Sequence, residues 1–310
     1  MFVVPADLAP IIHAACTRAI AVRERRRLLQ MLEQAGISRD GDRWLAGVER
    51  SALRALAGRG EATATELGND EPRLRTQIRL ATGKAYEGSV SVGTRLLFVL
   101  AAEGRVVRSR PLGSWTSSQF RWQLIDPERA SALAAWSVEA AQTELVRRWL
   151  ARFGPGTIAD IVWWTGLTLG EIRRALAQIM TTEVLVEGEP ALVLADDIGV
   201  TRGVAPWVAL LPALDPTVMG WAARDWFLGP HRPALFDRSG NAGPTVWWDG
   251  RVVGGWAQRR DGEIVFRLLE DIGADGVKAV ESAASKLKTW FGAVRATPGF
   301  RTPLEKELAG

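Results

Sequence analysis

The chain has 310 residues, of which 47% are hydrophobic, and its formal net charge is +4. This length allows two or three domains, each able to bury its own core, and no apolar run approaches the length of a membrane span. One cysteine and two histidines exclude a zinc site of thiolates and imidazoles and any disulfide within the chain. We therefore expect a cytoplasmic protein with no metal, no cofactor and no membrane partner.

The first region, residues 1–43, contains a helix that we expect from about Leu8 to Gln34. A short apolar run that resembles a strand precedes it, and a polar segment with glycines (35–43) ends it. Because the chain starts within an apolar run with no polar residues before it, we interpret residues 1–43 as the remnant of an N-terminal winged-helix domain.

The second region, residues 44–138, has the order of a winged helix, in which three helices precede a two-stranded ribbon. After the first helix, the pattern predicts a very short helix, a turn at Gly68 and a longer third helix with Pro72 in its first turn. In the last segment, Phe120 and Trp122 alternate with polar residues, which is typical of a half-buried strand.

Residues 139–204 repeat this order. Gly166 makes the turn between the second and third helices, and Thr168 with Glu171 predicts a capping box at the start of the third. Apolar residues stand six and ten positions after the turn glycine in both copies, as the core of a helix-turn-helix requires. A hairpin follows the third helix.

The second copy is less suited to DNA contact than the first. Glu187 and Glu189 lie at its predicted wing tip and would repel phosphate. Trp163 and Trp164 lie on its short second helix, so we interpret them as core residues rather than as platforms for stacked bases. A structural role is the preferred interpretation of this copy.

The last region, residues 205–310, is rich in loops at first. Two Asp-Gly turns between apolar runs then predict an antiparallel β meander, and a helix with one apolar face closes the chain. The expected fold is thus α+β: tandem winged-helix domains with a β-rich C-terminal domain that ends in a helix.

Four stretches, in order along the chain, carry a resemblance to a known family. They are FVVPADL, FGPGTIADIVWWTGL, LLPALDPTVMG and GPTVWWDGRVVGGW. The chain resembles the winged-helix DNA-binding domain family that includes the AlkZ-like bacterial DNA glycosylases. The resemblance implies tandem winged helices around double-stranded DNA and, for the studied members, removal of alkylated bases and unhooking of crosslinks.

One departure from the family bears on catalysis. The glycosylases position the attacking water with a Gln-x-Gln or Gln-x-Asp motif, which lies upstream of the segment that matches FVVP. Neither motif occurs in the 310 residues. Either the motif belongs to a segment before Met1, through a misplaced start codon or a truncation, or this relative has lost the chemistry. The catalytic residues therefore stay unknown.

The candidates for DNA contact are arginines and one glutamine in the first winged helix. On the predicted third helix and the adjoining strand they are Arg73, Arg75, Gln77, Arg79, Arg105, Arg108 and Arg110. Arginine on such elements can reach guanine edges or phosphates, and the alternative is an ordinary solvated face. We favour contact because the two elements adjoin in a winged helix.

A second group of candidates lies at the turns of the C-terminal meander. Arg251 follows the first Asp-Gly turn, and Arg259 and Arg260 lie at the second. By resemblance this hairpin faces the DNA cleft, where the arginines could touch phosphate or brace a distorted duplex. Solvated hairpin tips are an equal alternative.

Double-stranded DNA is the expected partner, and repair of alkylated or crosslinked DNA by a nucleoid-associated protein is the expected function. The alternative is a non-catalytic winged-helix transcriptional regulator. Such regulators usually dimerise on paired half-sites, and the sequence shows no dimerisation helix, so a monomer is favoured. A stand-alone hydrolase is disfavoured, since no nucleophile and base form a recognisable pair.

Overall fold

The computed structural model describes residues 4–80, 88–113, 117, 119–186, 188–199 and 203–310. The chain divides into two compact units. The first consists of Met1–Val146 and Arg173–Gln178, and the second of Arg147–Ile172 and Ile179–Gly310. The finer division into four regions stays a prediction.

The elements before residue 135 mix helices with short strands. In order they are α1 (Ala9–Ile12), a π-helical segment (His13–Thr17), α2 (Arg18–Gln34), α3 (Gly41–Arg59), β1 (Glu61–Thr63), α4 (Ala64–Asp70), a 3-10 helix (Pro72–Arg75), β2 (Gln77–Leu80), β3 (Gly88–Ser91), α5 (Val92–Ala102), β4 (Val106–Pro111), β5 (Phe120–Leu124) and α6 (Pro127–Ala134).

The remaining elements begin with three helices and a hairpin and end with a four-stranded sheet and helices. They are α7 (Val138–Phe153), α8 (Ile158–Thr165), α9 (Leu169–Leu176), β6 (Thr181–Val186), β7 (Glu189–Leu194), β8 (Val208–Leu211), α10 (Asp225–Leu228), a 3-10 helix (Gly229–His231), α11 (Arg232–Leu235), β9 (Thr245–Trp248), β10 (Arg251–Gln258), β11 (Ile264–Leu268), α12 (Gly273–Phe291) and α13 (Pro303–Ala309). Within the described ranges, no helix is both long and apolar enough to cross a lipid bilayer.

The core of the first unit lies between its helices and a small antiparallel sheet of order β1-β5-β4. Leu45, Val48, Ala52 and Leu56 recur at helical spacing on one face of α3 and are buried. Trp122 of β5 packs into the same core. Val106 of β4 lies in the same core, whereas Arg108, two residues further on, is exposed.

The predicted longer third helix from Pro72 is wrong. Pro72 opens only one 3-10 turn, and β2 follows and pairs with β3. Ile78 is buried between exposed Gln77 and Arg79, a period of two that suits a strand. The helix that follows α4 is instead the apolar α5, so a hairpin separates the second helix from the third.

The predicted turn at Gly68 is wrong as well. Gly68 is buried within α4, which continues to Asp70. The equal spacing of apolar residues after Gly68 and Gly166 is therefore not a structural repeat. Leu74 and Ile78 are buried by a 3-10 turn and a strand, whereas the corresponding Ile172 and Leu176, buried and half-buried, lie on a helix.

The predicted turn and cap in the second copy are confirmed. Gly166 has a left-handed φ of 69° after α8, where the missing side chain avoids a steric penalty. The Thr168 hydroxyl accepts from the backbone N–H of Glu171 and donates to its carboxylate. These two contacts start α9 where the sequence indicated.

The predicted meander is confirmed as an antiparallel sheet of order β11-β10-β9-β8. Asp249 and Gly250 both have positive φ, 45° and 84°, as a two-residue turn between paired strands requires. Helix α12 packs on one face of the sheet through Val280 and Ala284. Helix α13 packs with residues of the opposite face through Leu304.

Candidate nucleic-acid interface

The ribbon β4–β5, which we call the basic wing, presents two arginines to solvent. Arg108 and Arg110 are exposed on β4 and alternate with half-buried Val107 and Ser109. This alternation follows from strand geometry, since successive side chains point to opposite faces. Two of the predicted contact residues are thus exposed, in the part of β4 that follows buried Val106 and contains the irregular pairing between Arg108 and Pro111.

Arg108 is held in place by aromatic rings of the partner strand. Its guanidinium carbon lies 4.8 Å from the ring centroid of Phe120 and 5.0 Å from that of Trp122. Trp122 is directly opposite Arg108 in the strand register. Cation–π contacts of this kind orient a guanidinium without neutralising its charge. The sequence identified both rings as strand residues but gave no sign of this contact, which depends on the register.

The outward face of β2 carries three more of the predicted residues. Arg75, Gln77 and Arg79 are exposed at alternate positions, the first at the end of the 3-10 helix. The Arg75 Nε donates to the Gly68 carbonyl at 2.7 Å, and the Gln77 amide donates to the Arg75 carbonyl at 3.1 Å. Strand β2 belongs to a different sheet from the basic wing.

Arg73 is engaged with a buried carboxylate. Its Nε and Nη2 donate to the two carboxylate oxygens of Glu71 at 2.8 and 2.7 Å. These charge-assisted bonds lower the pKa of Glu71 to about 2. Since Glu71 is only 5% exposed, the Arg73 charge compensates a buried anion of the protein.

Arg105 belongs to a network of two arginines and two glutamates. Arg25 donates to Glu103 at 2.5 Å and to Glu49 at 2.9 Å, and Arg105 forms an ion pair with Glu49. Partial burial lowers the pKa of Arg105, and the charge of Arg25 lowers it further. Both carboxylates are thus shared within the unit, and Arg105 is not free for phosphate in the way that Arg108 is.

Helix α5, which is the third helix of the predicted first winged helix, exposes few polar groups. Thr94 and Phe98 are exposed, and Arg95 is half-buried with an Nε that has no hydrogen-bond partner in the described structure. Reading base edges requires several donors and acceptors on the helix that enters the groove. Helix α5 is poorly equipped for that task.

The two turns of the C-terminal meander lie at opposite ends of strand β10. Arg251 begins β10, and Arg259 and Arg260 follow its end. Strand geometry separates the two positions by roughly 25–30 Å. The three arginines therefore do not form one cluster.

These C-terminal arginines also differ in their partners. The Arg251 Nε lies 3.9 Å from one oxygen of Glu270, whose other oxygen is 3.1 Å from the His231 Nε2. The Arg259 Nε donates to the Leu308 carbonyl at 3.2 Å, which ties the second turn to α13. Arg260 is exposed.

The interpretation of Trp163 as a core residue is wrong. Trp163 is 44% exposed. Trp164 is half-buried, and its ring centroid lies 6.0 Å from that of Phe153. Residues 163 and 164 lie about 100° apart around a helix, so only one can face the core fully. Glu189, at the second wing, is exposed, and Glu187 lies outside the described residues.

No group of three metal-ligating side chains occurs in the part of the chain that the structure describes. The chemistry that these residues offer is instead recognition of a polyanion, through exposed guanidinium groups on strands. Arg108 is the best oriented of them.

Comparison with known proteins gives the class. The DNA glycosylase AlkZ-like family matches residues 1–290, and the chain belongs to this family. The structure is similar to that of Streptomyces sahachiroi DNA glycosylase AlkZ, with a TM-score of 0.64 and 22% identity, over 92% of this chain and 75% of that one. At this identity the similarity concerns the fold, which is α+β in the present chain. No curated protein sequence is similar enough to count as a match.

Proposed function

We propose that the protein binds double-stranded DNA through the basic wing and acts in the repair of alkylated or crosslinked DNA. The observation that carries this proposal is the pair of exposed arginines on β4, of which Arg108 is oriented by Phe120 and Trp122. Family membership supports DNA as the polyanion. The tandem winged-helix architecture is part of the same proposal.

Phosphate is the group that the wing fits best. Among the described residues, neither Arg108 nor Arg110 forms an ion pair with a carboxylate, so their charges are available to a partner. Wings of winged helices run along the sugar-phosphate backbone, and arginine binds phosphate there without reading sequence. The outward face of β2 (Arg75, Gln77 and Arg79) is proposed as a second backbone contact.

The alternative function, a transcriptional regulator, is less well supported. A regulator needs side chains that discriminate bases in the major groove, and α5 exposes mainly Thr94 and Phe98. Backbone contacts with little sequence readout suit a protein that searches DNA for damage. We also propose that the protein is a monomer and associates with the nucleoid.

Base excision by these 310 residues is a separate question. The sequence contains neither the Gln-x-Gln nor the Gln-x-Asp motif. We propose that these 310 residues bind duplex DNA without releasing a base, because no residue in the described part of the chain stands out as one that could hold water against the sugar carbon.

The wing is tested by replacing both Arg108 and Arg110 with alanine. The slope of log K against log salt is negative, and each lost phosphate contact reduces its magnitude by about 0.9. We therefore expect a slope less steep by about two units for any duplex sequence. The measurement is fluorescence anisotropy of a labelled duplex across a series of salt concentrations, with circular dichroism as a check of folding.

The matched control replaces Arg23 and Arg27, which lie on α2 with side chains 70% and 60% exposed. This variant changes the net charge equally but should leave the slope within half a unit of the wild-type value. Equal slopes in the wing variant and the wild type would remove the basic wing from the proposal.

A further inference from the structure

An exposed tryptophan of the second unit is backed by a buried cation. Trp163 lies on α8, and the guanidinium carbon of Arg224 is 4.8 Å from its ring centroid. Arg224 is only 3% exposed, whereas Trp163 is 44% exposed. One side of the indole is therefore covered by a buried group, whereas the tryptophan as a whole stays exposed to solvent.

The contact is part of a longer stack. The Arg224 guanidinium also lies 5.2 Å from the ring of Phe236, and Arg232 lies 5.5 Å from the same ring. Cations and rings thus alternate in the order Trp163, Arg224, Phe236 and Arg232, which we call the cation–π stack. Phe236 is buried and Arg232 is exposed, so the stack emerges at the surface at both ends.

The position of Arg224 is set by the rings rather than by carboxylates. Its Nε has no hydrogen-bond partner in the described structure, and its Nη1 lies 3.7 Å from the Met219 sulfur. Burial lowers the pKa of Arg224, and the charge of Arg232 lowers it further, against the opposite effect of Asp160 and Asp225. A buried guanidinium without an ion pair is costly, and cation–π contacts offset part of this cost.

We infer that the exposed face of Trp163 is a stacking platform for an unpaired nucleobase. This inference rests on the proposed DNA binding and specifies which DNA is preferred. A cation behind the indole withdraws electron density from it, which favours stacking of a neutral, electron-rich ring on the open face. Base–aromatic stacking tolerates any sequence, because every base has a π face.

The platform selects distorted DNA over intact duplex. In a paired duplex both faces of every base are already stacked, so no base face is available to stack on the indole. At a bulge, mismatch or lesion, one base can leave the stack at little cost.

The test compares a fully paired duplex with the same duplex carrying one bulged adenine. We expect the wild-type protein to bind the bulged duplex about five- to a hundredfold more tightly, the range that one stacked base contributes. Trp163→Ala should abolish this preference and leave affinity for the paired duplex within twofold. Trp163→Phe keeps a ring on Arg224 and should keep most of the preference.

The control variant is Trp290→Ala, since Trp290 is 78% exposed on α12 and should have no effect. Thermal unfolding of each variant separates loss of folding from loss of stacking. A wild-type protein without preference for the bulge, or a folded Trp163→Ala that keeps it, would overturn the platform. Paired-duplex binding that still depends on Arg108 and Arg110 would leave the proposed function standing in either case.

Discussion

Arginines that look alike in the sequence differ according to the residue opposite them. Arg73 faces the buried carboxylate of Glu71, whereas Arg108 faces the rings of Phe120 and Trp122. A carboxylate neutralises the guanidinium, and a ring orients it while leaving its charge for a ligand. Neither partner can be identified from sequence, because each depends on a turn or on a strand register.

The Glu71–Arg73 pair gives a prediction for stability. We expect Glu71→Gln to lower the free energy of unfolding by about 1–3 kcal/mol at pH 7, because charge-assisted hydrogen bonds to a buried carboxylate are lost. The folded pKa of Glu71 is about 2, below its ordinary 4.5, so its ionised form stabilises the fold above pH 4.5. This contribution is lost as the pH falls through 2.

Urea unfolding of both proteins between pH 7 and pH 2 is the measurement, and the difference between them should shrink towards the acid end. Glu61→Gln serves as the control. Its partner is Arg121, with side chains 39% and 43% exposed, and such surface pairs contribute about 0–1 kcal/mol. A difference between wild type and Glu71→Gln that grows on acidification would contradict this account.

At the level of elements, one carboxylate both begins a helix and fixes a loop. The Asp160 Oδ2 accepts from the backbone N–H and hydroxyl of Thr157, which caps α8. Its Oδ1 accepts from the backbone N–H groups of Ala222 and Ala223 at 2.8 and 3.0 Å. The segment that leads to Arg224 is thereby held against the start of the helix that carries Trp163.

Asp160→Ala should therefore cost more than the loss of a helix cap. We expect the free energy of unfolding to fall by about 3 kcal/mol, since the helix cap and two backbone N–H groups all lose one buried acceptor. Glu66→Ala removes the same capping-box position from α4, where Glu66 is exposed, and should cost about 0.5–2 kcal/mol. Chemical denaturation of both variants gives the comparison, and equal losses would show that the bonds to 222 and 223 contribute nothing.

Elements defined by interactions between neighbouring residues were predicted correctly, whereas an element defined by pairing with a distant segment was not. The capping box at Thr168, the turn at Gly166 and the Asp-Gly turn at Gly250 depend on neighbouring residues, and the sequence indicated all three. For residues 72–80, the sequence pattern predicts a helix where a 3-10 turn and a strand are found. Leu74 and Ile78 are four apart and both buried, and either structure can bury two residues at this spacing. Pairing with β3 decides between them, and local pattern does not contain it.

Site residues followed the same rule. The sequence predicted that Arg108 and Arg110 lie on a strand of the wing, and both are exposed in the structure. The rings that orient Arg108 and the cation behind Trp163 come from elsewhere in the fold, with Arg224 sixty-one positions away from Trp163. Sequence pattern alone could not bring these groups together.

For the whole molecule, we expect DNA binding without excision. Under the proposed function, the 310 residues should release no base from a duplex that contains a single N7-methylguanine or N3-methyladenine. Heat-and-alkali cleavage of the labelled strand is the assay, with an active alkylpurine glycosylase as the positive control. Robust cleavage at the lesion by this chain would mean that another residue performs the role of the motif.

The division of the chain also constrains how such a protein can diversify. The first unit takes Arg173–Gln178 from within the stretch that otherwise builds the second, so the chain passes from one unit to the other at three positions. Recombination at a single point would give a hybrid in which one unit lacks a helical segment or contains a foreign one. Units joined by a single linker can be exchanged without disturbing either core, whereas exchange of one of these units at a single point would alter the other.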